Sequence, residues 1–156
     1  MSKRIRAAGV LCATTVSVLL GAGAAQADSS HQQMTGAVKQ GDSINAISAH
    51  GVEADAKGQF NASGLFHAQV TCLEVTGNTA VATAVIDHSN DPLNPVGEVI
   101  VIRGVDNGNP SDGVSPDLFR VSFEGNGGLQ PGSGPCRQDF LPPAPVDSGN
   151  IVVMPG

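Results

Sequence analysis

Tryptophan and tyrosine are both missing from this chain, whose only aromatics are five phenylalanines. Carbohydrate-binding β modules stack sugars on exposed, flat, amphipathic rings, so this absence weighs against that class. Basic side chains are also scarce. Beyond position 27 only Lys39, Lys57, Arg103, Arg120 and Arg137 stand against all 14 acidic residues, leaving a charge of about −9 there. Such a surface repels nucleic acid and anionic lipid, which removes nucleic-acid binding from consideration. Catalytic signatures are missing too: there is no Gly-x-Ser-x-Gly elbow, no His-Glu-x-x-His helix and no phosphate-cradling loop. Ser63 and Ser133 sit beside glycines, in the setting of loop serines.

The start of the chain reads as a secretory signal peptide over residues 1–27. Lys3, Arg4 and Arg6 supply the positive start, an apolar run spans residues 7–24, and Ala25-Gln26-Ala27 is the small-residue cleavage pattern. Asp28 is then the mature N-terminus. Cys12 does not make a lipoprotein site, since Leu11 precedes it and it lies inside the apolar run; Ile5 separates Arg4 from Arg6 and breaks a twin-arginine signal. After position 27 no run reaches the ~18 apolar residues of a membrane span. The expectation is a secreted, extracellular domain of 129 residues (156 less 27), with residues 28–33 frayed and no membrane insertion after cleavage.

Cys72 and Cys136 remain after cleavage. In an oxidising compartment an even pair in a small domain reads as a disulfide. It would close a loop of 64 residues, worth about 4 kcal/mol from chain entropy. The alternative is a catalytic thiol at Cys72, near His67 in sequence, but a free secreted thiol tends to oxidise.

Short β runs separated by turns fill the mature chain. They are expected at residues 34–38, 43–54, 58–62, 66–75, 80–88, 98–105, 118–124 and 150–153. Gly77-Asn78 between two β-rich runs is a two-residue hairpin turn. That turn sets Val75 opposite Ala80, Leu73 opposite Ala82, Val70 opposite Val85 and His67 opposite His88. Phe119, Val121 and Phe123 alternate with Arg120, Ser122 and Glu124. Residues 125–135 form a flexible Gly/Pro-rich connector, and Pro142, Pro143 and Pro145 exclude a helix after it. The fold expected is all-β, a compact antiparallel barrel or sandwich of about seven to eight short strands.

These residues also carry a resemblance. Val70-Thr71-Cys72-Leu73, Gly77-Asn78, Val105-Asp106-Asn107-Gly108, Pro116-Asp117-Leu118-Phe119 and Gly149-Asn150-Ile151-Val152-Val153 together resemble a group of small secreted bacterial β proteins of actinobacterial type. The resemblance implies a single secreted β domain and brings no catalytic residues with it.

Two clusters suggest metal chemistry. His67 and His88, opposed on one face of the hairpin, would have Cβ atoms roughly 5 Å apart, near enough to share Zn²⁺ or Cu²⁺, with His50 or Asp91 as a third ligand. The bland alternative is a pair of exposed histidines at a strand end. Asp106, Asn107, Asp112 and Asp117 gather hard oxygen ligands in one loop, as Ca²⁺ prefers. Their spacing is not that of an EF-hand, and Asp and Asn before Gly also serve ordinary turns. Asn61-Ala62-Ser63 matches a glycosylation acceptor pattern, incidental in a bacterial protein.

No cofactor is required by any motif. The favoured reading is a non-enzymatic domain acting by surface interaction with an extracellular protein or envelope component. A small hydrolase or metal-binding protein built on His50, His67, His88 and nearby aspartates is the alternative. A protease-inhibitor-like module presenting residues 106–116 or 125–135 is a third.

Overall fold

The structure is a computed structural model that describes residues 31–109, 112–126, 129–130, 136–139 and 141–156. The leader, its cleavage site and Cys12 lie outside the described residues. No α-helix occurs among those described.

Nine antiparallel strands make one curled sheet. In chain order they are β1 (Gln33–Gln40), β2 (Ser43–His50), β3 (Lys57–Ala62), β4 (Phe66–Thr76), β5 (Thr79–Ser89), β6 (Val99–Val105), β7 (Leu118–Phe123), then, after a two-residue pair β8 (Leu129–Gln130) and β9 (Gln138–Asp139), β10 (Ala144–Pro145) and β11 (Ser148–Met154). The spatial order is β10-β7-β6-β5-β4-β3-β2-β1-β11, with β8 and β9 paired separately. The sheet thus has nine strands where seven to eight were expected. The extra element is β10; the prolines in and before it rule out a helix, and Pro145 suits a short edge strand. Within the connector expected at 125–135, the described residues belong to a 3-10 turn at Glu124–Asn126 and to β8, and residues 127–128 and 131–135 lie outside the described residues.

Alternation decides which face is buried. Met34 and Val38 from β1, Ile47 and Ala49 from β2, Phe60, Ala68, Leu73, Ile86, Ile100, Ile102, Phe119, Ile151 and Val153 form one inner core. Ala80, Ala82 and Ala84 keep β5 slim, leaving room for Phe60, whose ring lies 6.3 Å from Phe119 and 5.9 Å from Phe66. Gly104 is needed for a close approach: a Cβ there would collide with the Met34 methyl and stand 3.1 Å from Ile151 Cγ2. The inner face of β6 therefore touches β1 and β11, far away in strand order.

The β4–β5 hairpin follows the expected register at its tip, with Val75 opposite Ala80 and Leu73 opposite Ala82. Gly77 takes φ 59°, as a type II′ turn asks of its first central residue, while Asn78 stays at negative φ. Two irregularities follow, between Val70 and Cys72 and between His67 and Ala68. The first inserts Thr71 on β4, so Val70 meets Ala84 rather than Val85. The second inserts Asp87 on β5 and restores the pairing of His67 with His88.

The Thr71 bulge has a structural consequence. It turns Leu73 into the core and leaves Cys72 on the outer face, where the Cys72–Cys136 disulfide forms, as expected. The segment carrying Cys136 lies over Thr83, whose Oγ1 accepts a hydrogen bond from the Arg137 amide at 3.0 Å. This cover explains why Val101 and Thr83, on the outer face of the sheet, are buried.

The last stretch of chain joins the two sheet edges. Ala144 and Pro145 pair with β7, and the Val146 amide continues that ladder to Asp117 O. From Asp147, whose amide donates to Lys39 O, the chain pairs with β1 instead. Gln40 Nε2 donates across the same junction to Phe119 O, Ala144 O and Pro145 O.

Candidate functional site

The two ends of the curled sheet differ. At one end the 106–117 loop folds against β11. Asp117, fully buried, accepts hydrogen bonds from the Asn107 amide at Oδ1 (2.9 Å) and from the Ile151 amide at Oδ2 (2.7 Å). Asp106 accepts from the Gly108 amide at Oδ1 (2.8 Å) and the Val153 amide at Oδ2 (3.1 Å). Ile151 and Val153 sit on β11, whose outer edge has no strand partner among the described residues; the two carboxylates occupy its amides. Asp106 and Asp117, expected as calcium ligands, thus have their oxygens engaged by backbone N–H groups. Asp112 is exposed on the same loop.

At the other end lies a cleft of roughly 330 Å³ lined by Gln40, Ser43, Asn45, Ala62, Leu65, Phe66, Asn94, Val121 and Phe123. Every strand that contributes does so from the terminus nearest this end. Phe66 and Phe123 meet edge to face at 5.7 Å and give it an aromatic wall. The polar groups are all neutral. Gln40 donates to three carbonyls, which settles the orientation of its amide. Asn94 Nδ2 donates to Asp91 Oδ2 at 2.6 Å. Asp91, considered above as a metal ligand, also accepts the Leu93 amide at Oδ1 (2.9 Å) and shapes this loop.

Asn45 stands apart. It occupies an inward position of β2 in line with Ile47 and Ala49, is 7% exposed, and its side chain has no hydrogen-bond partner among the described residues. Its amide atoms are not sealed off, since the buried partnerless side-chain atoms among the described residues are Glu98 Oε2 and Arg103 Nε; the Asn45 amide opens onto the cleft. Sequence reasoning passed over it. The available signal was a polar residue at an inward step of an alternating strand.

Comparison of the chain with models of known protein families, with curated proteins and with solved structures finds no match. Geometry alone therefore carries the functional argument.

The histidines are placed as follows. His67 and His88 face each other across β4 and β5. His50 ends β2 opposite Lys57, whereas His67 lies opposite Asn61 on the same strand β3, so His50 is displaced along the sheet by four residues, roughly 13 Å. It does not join the pair. Sequence reasoning missed Asp87, the bulged residue. Its Oδ1 lies 2.7 Å from His67 Nδ1 and its Oδ2 accepts from Gln69 Nε2 at 2.9 Å. The hydrogen bonds from His67, and then from Gln69, hold the Asp87 carboxyl below its ordinary value. Among the described residues no group of three or more His, Cys, Asp or Glu side chains is arranged to hold a metal ion.

Proposed function

We propose that the mature chain is a secreted, non-catalytic binding domain, a curled half-barrel whose open mouth takes a small neutral ligand supplied at the cell envelope or the surrounding matrix. The observation that carries this reading is Asn45, a largely buried residue whose amide has no hydrogen-bond partner among the described residues and opens onto a cleft walled by Phe66 and Phe123. A concave, largely apolar pocket with a few placed polar groups is the usual form of a small-ligand site, and barrel mouths are common hosts. The neutrality of the lining favours an uncharged ligand that offers both a donor and an acceptor to the Asn45 amide beside a flat apolar portion. Export is supported by the leader sequence and by the disulfide. The half-barrel is supported by the passage of residues 144–154 from β7 to β1.

Benzamide, which has both features, is a suitable probe. Titrated into the mature protein and followed by amide NMR, it is expected to shift resonances of Asn45, Phe66, Asn94 and Phe123 saturably in the millimolar range. Asn45→Leu should abolish these shifts while the protein stays folded. Shifts elsewhere, or none that saturate, would overturn the cleft reading. Intact mass of the secreted protein should begin at Asp28; a retained leader would overturn export.

A further inference from the structure

Three features of the outer face at the His67 end of the hairpin combine. His67 and His88 are directly opposed on adjacent antiparallel strands, which puts their Cβ atoms roughly 5 Å apart and their side chains on one face. Both line a shallow depression of roughly 100 Å³ together with Asn61 and Asn90. The bulge at Asp87 adds a carboxylate against His67 Nδ1 at 2.7 Å, itself steadied by Gln69.

We propose that His67 and His88 form a two-histidine site for a borderline transition metal, Cu²⁺ before Zn²⁺, with Asp87 as its positioning residue. The chemistry follows from the tautomer. With Nδ1–H donating to Asp87 Oδ1, the Nε2 lone pair of His67 is left available to an ion. A carboxylate behind a ligating imidazole is the common outer partner of such ligands, fixing the ring and raising its basicity. The ring of His88 has no partner among the described residues and is exposed, so it turns without losing a hydrogen bond. Two imidazoles a strand apart reach one ion at the usual distance of about 2.0–2.1 Å. Water, or the side-chain oxygen of Asn61 opposite His67, completes the shell. Imidazole nitrogen favours copper and zinc, and copper binds more tightly at a given site. The aspartate is the feature that separates this pair from two chance surface histidines. A bulge that only bent the strand would need no acid at its extra position.

Copper(II) chloride alone is the probe, added to the metal-free mature protein. Calorimetry is expected to show one site, with an electron paramagnetic resonance spectrum split by two nitrogen ligands. His67→Gln and His88→Gln should each remove that splitting. Asp87→Asn should keep the stoichiometry and the two-nitrogen spectrum but weaken binding about 10-fold to 100-fold, the usual cost of losing an outer partner. Zinc should compete for the same site. All three substitutions lie on the outer face, so thermal unfolding of the metal-free variants confirms that the fold is intact. Copper bound equally well by the His67→Gln/His88→Gln double variant would place it on His31, His50 or the amino terminus and overturn the proposal. Affinity unchanged in Asp87→Asn would overturn the role of the aspartate.

Discussion

The carboxylate of Asp117 accepts the Ile151 amide at 2.7 Å, across 34 residues of chain and with both residues fully buried. A sheet edge exposes a row of unpaired amides that invites further strands. Here the amides of Ile151 and Val153 are occupied by side chains of one loop rather than by another strand. Asp117→Ala strands the amides of both Ile151 and Asn107, and the expected loss is about 3 kcal/mol in urea unfolding. Asp117→Asn keeps one acceptor and should lose less. A cost under about 0.5 kcal/mol for the alanine variant, typical of a plain surface change, would show that this contact does not hold the edge.

The disulfide and the Thr71 bulge act together. Replacing Cys72 and Cys136 by serine should cost about 4 kcal/mol. Hydrogen exchange should rise at Val101 and Thr83, which the Cys136 segment covers. A stability loss without faster exchange at these two positions would mean that the cover stays in place without the bond.

Asp87 predicts a pH dependence of known sign. Its carboxyl is lowered in the folded protein, so its contribution is complete above the unfolded aspartate value of about 3.9 and is lost as pH falls through the folded one. With a chelator present, the stability difference between the native protein and Asp87→Asn should be constant near neutrality and shrink in that acid window. The carboxylate is 40% exposed, so solvent screens the effect and the difference is small. A difference that grows toward low pH would contradict the assignment.

Gly104 tests the contact across the core. Gly104→Val should destabilise by about 1–3 kcal/mol through overpacking. Gly104→Ala should cost less in a Met34→Ala background than in the native one, because Met34 and Ile151 are what the new methyl meets. Strict additivity would place the strain elsewhere.

Asn45→Leu is expected to change stability by under about 1 kcal/mol while removing the benzamide response. The Asn45 amide reaches solvent through the cleft, so removing it relieves little burial cost. A marked loss of stability would mean that Asn45 is a packing residue.

Much of the β architecture was legible because it is local. Strands at residues 66–75 and 80–88 appear within a residue or so as Phe66–Thr76 and Thr79–Ser89, since a glycine turn and a two-residue period set them. The register held at Val75 and Ala80 and failed at Val70, where the Thr71 bulge intervenes. It held again at His67 and His88 only because the Asp87 bulge, on the other strand, cancels the first. No pattern in the sequence marks either bulge. They are set by packing on both faces of the sheet: Leu73 must enter the core while Cys72 meets Cys136 outside.

The chain by itself determined an all-β domain, its hairpin and a pair of cysteines, because alternation, turn residues and cysteine count act over short stretches or need no geometry. Which groups meet was decided by tertiary structure. Asp106 and Asp117 look the same in sequence whether they bind a cation or hold a strand edge, and only the return of β11 beside their loop supplied the amides. Asn45 became a candidate ligand contact when the curl of the sheet brought the ends of β1, β2, β3, β4 and β7 around it. Asp87 met His67 because one extra residue on β5 turned it toward its neighbour.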